Sequence, residues 1–220
     1  MRLHLLSLFP GYFQGPFDQT MLKRARDRGF LHLEYVDVRD FADPPHYKTD
    51  DRPYGGGPGM VMMAEPLGRA IRYVRSENAK IVYMSPQGTP LTAAVCRRLA
   101  KETHIVILCG HYEGIDERIV ELYVDEEISI GDYVLTDGCL AAMVLVNAMA
   151  RFIPGVLGHP RAAEEDSFEG RGFDCPHYTR PIVYEGLEVP SVLRSGDHQK
   201  IAAWRAEKAR EKTVRVRPDL

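Results

Sequence analysis

The feature that most constrains this chain is a repeated alternation of short apolar runs with amphipathic stretches, sustained from Leu3 to Ala150. Leu3–Phe9, Leu31–Val38, Lys80–Met84, His104–Cys109 and Glu127–Ile130 are short, mostly apolar runs of strand length. Helices are expected over Phe17–Arg28, closed by Gly29, and over Leu67–Glu77, with Pro66 in a first turn that tolerates it. Thr92 is placed to cap Ala93–Glu102, Asp116 to begin a short helix, and Asp137 to cap one running through Ala150. Strands and helices in turn imply an α/β fold with a mostly parallel sheet covered on both faces, whose ligands bind beyond the carboxyl ends of the strands.

Two segments interrupt the rhythm. Residues Asp40 to Met60 include DDRPYGGGPGM, too rich in glycine and proline to continue either element, and an irregular stretch of that length is functional or mobile. Beyond Pro154-Gly155 the alternation stops. Gly158 to Pro181 reads as a connection, and Asp197–Lys212 as one helix with Ile201 and Trp204 on a common face. The expected division is therefore 1–158 as the main domain, 159–180 as a linker and 181–220 as a small, mainly helical, basic domain.

Charge refines this picture. Ser191 to Leu220 holds eight Lys/Arg against four Asp/Glu, so a net +4 end sits on a body of −7 within an overall −3. A basic end on an acidic body is the footprint of a polyanion partner, or equally of a solvated helix face. The longest uncharged apolar run, Cys139 to Val146, is far short of the roughly 20 residues of a membrane span, and the N-terminus lacks the cleavage pattern of a signal peptide. A cytoplasmic location without membrane contact is expected. Cys96, Cys109, Cys139 and Cys175 form no C-x-x-C pair, which argues against structural zinc and for reduced, mostly buried thiols.

Three strands end in loops of small or polar residues: SPQG after Met84, GHYEG after Cys109 and GDYVLTDG after Ile130. Their glycines allow close backbone approach to a ligand. One such loop would be an ordinary tight turn, but three on one sheet edge outline a pocket. No G-x-G-x-x-G follows the first strand and no G-x-x-x-x-G-K-[ST] occurs, so neither dinucleotide nor triphosphate loop is indicated. A second cluster, AEEDSF at Ala163 to Phe168, sets Glu164, Glu165 and Asp166 near His159 and Arg161. On physics alone Asp166 is one of several solvated acids, and Arg151 is a surface cation as readily as a catalytic one.

Seven blocks, RPYGGGPGM (Arg52–Met60), SPQG (Ser85–Gly88), CGHYEGIDER (Cys109–Arg118), SIGDYVL (Ser129–Leu135), RFIPGVLGH (Arg151–His159), EEDSF (Glu164–Phe168) and DCPHYTRP (Asp174–Pro181), occur in the order found in bacterial tRNA (guanine-N1)-methyltransferases of the TrmD type. The chain resembles that family, a branch of the SPOUT superfamily, over nearly its whole length. The resemblance implies a parallel sheet with a deep trefoil knot, a homodimer with active sites at the subunit interface, and S-adenosylmethionine as methyl donor. It implies methylation of N1 of the guanosine just 3′ of the tRNA anticodon, guanosine-37, preceded by a second guanosine. Matched to the family pattern, Gly110, Gly138 and the run Ile130, Gly131, Asp132, Tyr133, Val134 and Leu135 fall at cofactor contacts, joined by Tyr83, Ser85 and Pro86. Asp166 falls at the general base, Arg151 at the cation facing guanine O6, and Glu113 at a residue tied to Mg2+ dependence; no protein metal ligand set is implied.

The chain departs from the family pattern after SIGDYVL, where two glycines and Glu-Leu-Pro are usual and Asp137, Gly138, Cys139, Leu140 and Ala141 stand instead. That departure is expected to alter cofactor affinity rather than fold. The chain also stops soon after Val214–Pro218, which implies a weaker grip on tRNA. Two other classes fit parts of the pattern: an RNA-binding protein with a decayed cofactor site, and a metal-dependent hydrolase built on His111 to Glu117 with His159.

Overall fold

The computed structural model describes residues 1–158, 163, 166–170 and 172–220, which divide into two compact units, Met1–Gly158 and His159–Leu220. His159, Arg161, Glu164 and Glu165 lie outside the described residues. In the first unit β1 (Arg2–Ser7), α1 (Thr20–Asp27) and β2 (His32–Asp37) are followed by the two-residue strands β3 (Asp50–Asp51) and β4 (Val61–Met62). Next come α2 (Ala64–Val74), β5 (Lys80–Pro90), α3 (Ala93–Leu99), β6 (His104–Cys109), α4 (Glu117–Tyr123), β7 (Glu126–Ser129) and α5 (Cys139–Ala150). Five of these strands form an all-parallel sheet in the order β2-β1-β6-β5-β7. The expected α/β class and parallel sheet are thus present.

Side chains alternate across the pleat, and each face has its own cover. Leu3, Leu5, Val82, Met84, Ile105 and Ile107 pack with α1, α3 and α5. Leu6, Ile81, Tyr83, Val106 and Leu108 pack with α2 and α4. Because β6 is buried along its whole length, it reads as a continuous apolar run, as central parallel strands do.

Helix starts follow the side chains expected to make them. Thr92 Oγ1 accepts from the Val95 N–H at 3.3 Å and Asp116 accepts from Arg118 N–H at 3.0 Å; at α5 the cap is Gly138 rather than the expected Asp137, which sits one residue earlier and accepts from Cys139 N–H at 2.7 Å. The first helix is shorter than its pattern, because Pro10 and Pro16 open 3-10 turns at Pro10–Phe13 and Pro16–Asp18 and α1 begins only at Thr20. α2 begins three residues earlier than expected and ends at Val74 rather than Glu77.

Strand β5 runs six residues past its expected end at Met84. SPQG is part of it: pairing with β7 shifts register between Met84 and Thr89 and then resumes. Gly88 permits this, since a Cβ there would lie 2.4 Å from Ile128 N and 2.5 Å from Glu127 C.

In the second unit, β8 (Val183–Tyr184) and β9 (Leu187–Glu188) form a hairpin across Glu185 and Gly186, both at positive φ as a two-residue turn requires. A 3-10 turn over Ser191–Arg194 leads to α6 (His198–Val216), capped by Asp197, which accepts from Lys200 N–H at 3.1 Å. The segment 172–178 lies along α6: the buried Thr213 hydroxyl accepts from Phe173 N–H at 2.8 Å, and Tyr178 and Trp204 have ring centroids 6.2 Å apart. Among the described residues no helix is long and apolar enough to cross a membrane.

Candidate functional site

The carboxyl ends of β6, β5 and β7 are neighbours in the sheet, so the loops that leave them converge. Between them lies a cavity of about 390 Å³, within the range of small-molecule sites. Tyr83, Ser85, Pro86, Gly110, Glu113, Ile130, Gly131, Tyr133, Val134, Leu135 and Gly138 all line it. Asp132, expected with them, is exposed on the same loop and is not among the lining residues.

Glycine contacts explain how the loops meet. A Cβ on Gly138 would lie 2.9 Å from Cys109 Cα and 3.0 Å from Gly110 N, while its own N–H donates to Gly110 O at 2.8 Å. A Cβ on Gly110 would lie 2.8 Å from the Tyr83 hydroxyl oxygen. Gly131, at φ +149, leaves room for the Tyr133 ring, and Ser129 Oγ accepts from its N–H at 3.2 Å. The loop after β7 is therefore laid against the loop after β6 by backbone proximity that larger residues would block.

The glycine-rich loop packs against Glu113, which lines the cavity. Gly59, at φ +80, abuts Glu113 so closely that a Cβ would lie 2.4 Å from its carboxylate oxygen. Glu113 N–H donates to Met60 O at 3.0 Å, and Met62 N–H to Gly114 O at 3.0 Å. Gly55, Gly56 and Gly57 stand at positive φ with open space around them.

Two polar groups at the cavity matter chemically. Tyr83, buried, has its hydroxyl pKa pushed up to about 12, first by burial and then by the Glu127 charge, so it is a neutral hydrogen-bonding group there. His111 Nδ1 is buried without a hydrogen-bond partner among the described residues. Its ring lies between Phe9 and Tyr112, at centroid distances of 5.1 and 4.5 Å. An orphaned ring nitrogen at a cavity wall is a place where a ligand supplies the missing partner. Apolar walls from Ile128, Val134 and Ala141, glycine backbone and this nitrogen suit a nucleoside-sized ligand. His111, Glu117, Glu127 and Asp137 line the cavity without having been singled out as its contacts; only their place in or beside the three loops signals it.

Arg151 is the C-cap residue of α5 in the first unit and is half-buried. Asp166 belongs to the second unit, where it accepts from Ser167 N–H at 3.1 Å and lines a cavity of about 600 Å³ with Asp174, His177, Arg205 and Thr213. Burial raises the Asp174 carboxyl pKa, but hydrogen bonds from His177 at 2.7 Å and the Cys175 N–H at 2.6 Å outweigh it and leave the group below its usual range. Among the described residues, Asp174, Cys175 and His177 bring potential metal-ligand atoms within 4.8 Å of one another, a grouping that cysteine spacing did not reveal. Burial raises the Cys175 thiol pKa, which opposes the thiolate a metal needs. All four cysteines are buried free thiols.

The sequence profile of the family described as "tRNA (Guanine-1)-methyltransferase TrmD" matches residues 1–220. A tRNA (guanine-N(1)-)-methyltransferase of Protochlamydia amoebophila is 62% identical over all of this chain and 99% of its own length. One from Chlamydia pneumoniae is 53% identical over all of this chain, which spans 61% of that relative's length. One from Carboxydothermus hydrogenoformans is 47% identical, with 87% of its length covered.

Proposed function

The chain belongs to the tRNA (guanine-1)-methyltransferase family, and from that premise we propose that it transfers a methyl group from S-adenosylmethionine to N1 of guanosine-37 in the anticodon stem-loop of tRNA. The observation that carries this reading is the cavity at the carboxyl ends of β5, β6 and β7, lined by ten of the eleven residues at which the family pattern has cofactor contacts. In this reading the loops after β6 and β7 form a trefoil knot, the chain works as a cytoplasmic homodimer, and residues 181–220 bind tRNA with their excess of basic side chains.

When bound, the cofactor supplies an electrophilic methyl on a sulfonium. The protein's part is to position the acceptor and make it a nucleophile. N1 of guanine carries a proton, and Asp166 takes it as general base. Negative charge then spreads toward O6, where the Arg151 guanidinium stabilises it. Glu113, beside the glycine-rich loop, links the reaction to Mg2+.

The test is methyl transfer by Asp166→Ala alongside cofactor binding. Loss of about 10²- to 10⁴-fold in rate is expected, the usual contribution of a general base, with cofactor affinity retained. Turnover near that of the unaltered chain would remove Asp166 from the role.

A further inference from the structure

Charge around the cavity is one-sided. Glu113 approaches it from the loop after β6, Glu117 from the start of α4, Glu127 from β7 and Asp137 from the turn before α5, and among the described residues no Lys or Arg lines it. None of the four is ion-paired among the described residues. Arg118 pairs instead with Asp116 at 2.7 Å, and Arg98 with Glu126.

Asp137 is the most firmly held of the four. One carboxylate oxygen accepts from Cys139 N–H at 2.7 Å, and its backbone bridges to His111 on the opposite loop. It is half-buried, so its field is less screened than that of an exposed acid. Glu127 is likewise half-buried, close enough to Tyr83 to act on its hydroxyl. Four carboxylates at a cavity walled in part by apolar groups produce a standing negative potential, which strengthens binding of a cation and does nothing for a neutral molecule of the same shape.

We propose that this acidic wall, with Asp137 and Glu127 as its half-buried members, makes the cavity select the cationic sulfonium donor over its neutral thioether product. The inference rests on the reading of the cavity as the S-adenosylmethionine site. Transfer of the methyl cation equivalent to guanine leaves sulfur neutral with both electrons of the broken bond, so S-adenosylhomocysteine carries one positive charge fewer than the donor. Electrostatic attraction that held the donor is thereby lost at the moment product must leave. Asp137 and Glu127 are specificity-determining residues in this account; neither handles the transferred group.

The experiment is calorimetric binding to the full chain, with chelator present to remove divalent cations. Three ligands are compared: S-adenosylmethionine, S-adenosylhomocysteine and sinefungin, whose amine carries positive charge without a transferable methyl. The unaltered chain is expected to bind both cationic ligands more tightly than the neutral product, with the difference shrinking as salt rises. Asp137→Asn keeps a side-chain oxygen able to accept from Cys139 N–H and is expected to weaken both cationic ligands about three- to tenfold, the scale of one charge interaction across a half-buried site. Glu127→Gln is expected to act in the same sense. Affinity for S-adenosylhomocysteine should stay within about twofold in both, which also reports that the variants are folded. Equal affinity of the unaltered chain for all three ligands, or an equal loss for all three in the variants, overturns this inference and leaves the cofactor reading standing. Absence of binding by any of the three to the unaltered, folded chain overturns both.

Discussion

Replacing Gly138 by Ala tests how the cavity is built. Its backbone, at φ −82 and ψ −2, is open to any residue, so the substitution carries no conformational strain. The cost is contact: the new methyl would sit 2.9 Å from Cys109 Cα, 3.0 Å from Gly110 N and 3.2 Å from Cys109 C, all backbone atoms that cannot rotate away. Overpacking of this kind costs about 1–3 kcal/mol. Pushing the loops apart also weakens the Gly138 N–H to Gly110 O bond, worth about 1 kcal/mol. Reduced freedom of the unfolded chain returns about 0.4–1 kcal/mol, so a net loss of about 1–3 kcal/mol follows. For a chain of this length each 1 kcal/mol moves Tm by about 2–4 °C. Calorimetric melting should therefore show a drop of several degrees, and because Gly110 and Gly138 both line the cavity, S-adenosylmethionine affinity should fall by about tenfold, equivalent to about 1.4 kcal/mol of displaced contacts. Gly11→Ala is the control, since nothing lies within 4 Å of its Cβ. Unchanged melting and unchanged affinity in Gly138→Ala would refute the account of the loops as held together by close backbone approach.

Two further outcomes follow from groups outside the cavity. Ser76 Oγ, His104, His4 and Glu34 form a chain at 2.7, 2.8 and 3.3 Å. Burial holds the His4 pKa below the ordinary value despite the pull of Glu34, and burial, with the His4 and Arg2 charges, does the same for His104. Below pH about 6.5 the unfolded chain therefore binds more protons than the folded one, so stability falls as pH drops through 6.5 toward the folded values and is retained above it. Melting at pH 5.5 and 7.5 should show this loss, and His104→Gln should reduce it; a flat profile would contradict it. Asp116→Ala removes the cap of α4 and should cost about 1 kcal/mol in urea unfolding, whereas a neutral effect would mean that the Arg118 N–H finds another partner.

Much of the first unit was legible because its strands are apolar and its helices carry their own start signals. His104–Cys109 coincides with β6, and Thr92, Asp116 and Asp137 each accept a hydrogen bond from the first turn of the helix they precede. Strand order was not legible. Nothing local says that β6 enters between β1 and β5, because the choice depends on how the helices cover both faces. Nor was the length of β5, since Pro86 and Gly88 read as a turn until pairing with β7 recruits them. The cavity was legible as three loops on one sheet edge, but its acidity was not: Glu117 and Glu127 read as ordinary surface acids in a helix start and a strand until the fold brings both into the cavity lining. The roles proposed for Asp166 and Arg151 rest on family resemblance, as no local signal distinguishes either from a solvated charge.

The central claim is that this cavity serves methyl transfer to one guanine. It is tested most directly with labelled S-adenosylmethionine and unmodified tRNA transcripts, one carrying two guanosines at the 3′ edge of the anticodon and one with the target guanosine replaced by adenosine. The account predicts label in the first transcript alone, recovered as 1-methylguanosine. Equal labelling of both, label at another atom, or none in the presence of folded protein would contradict it.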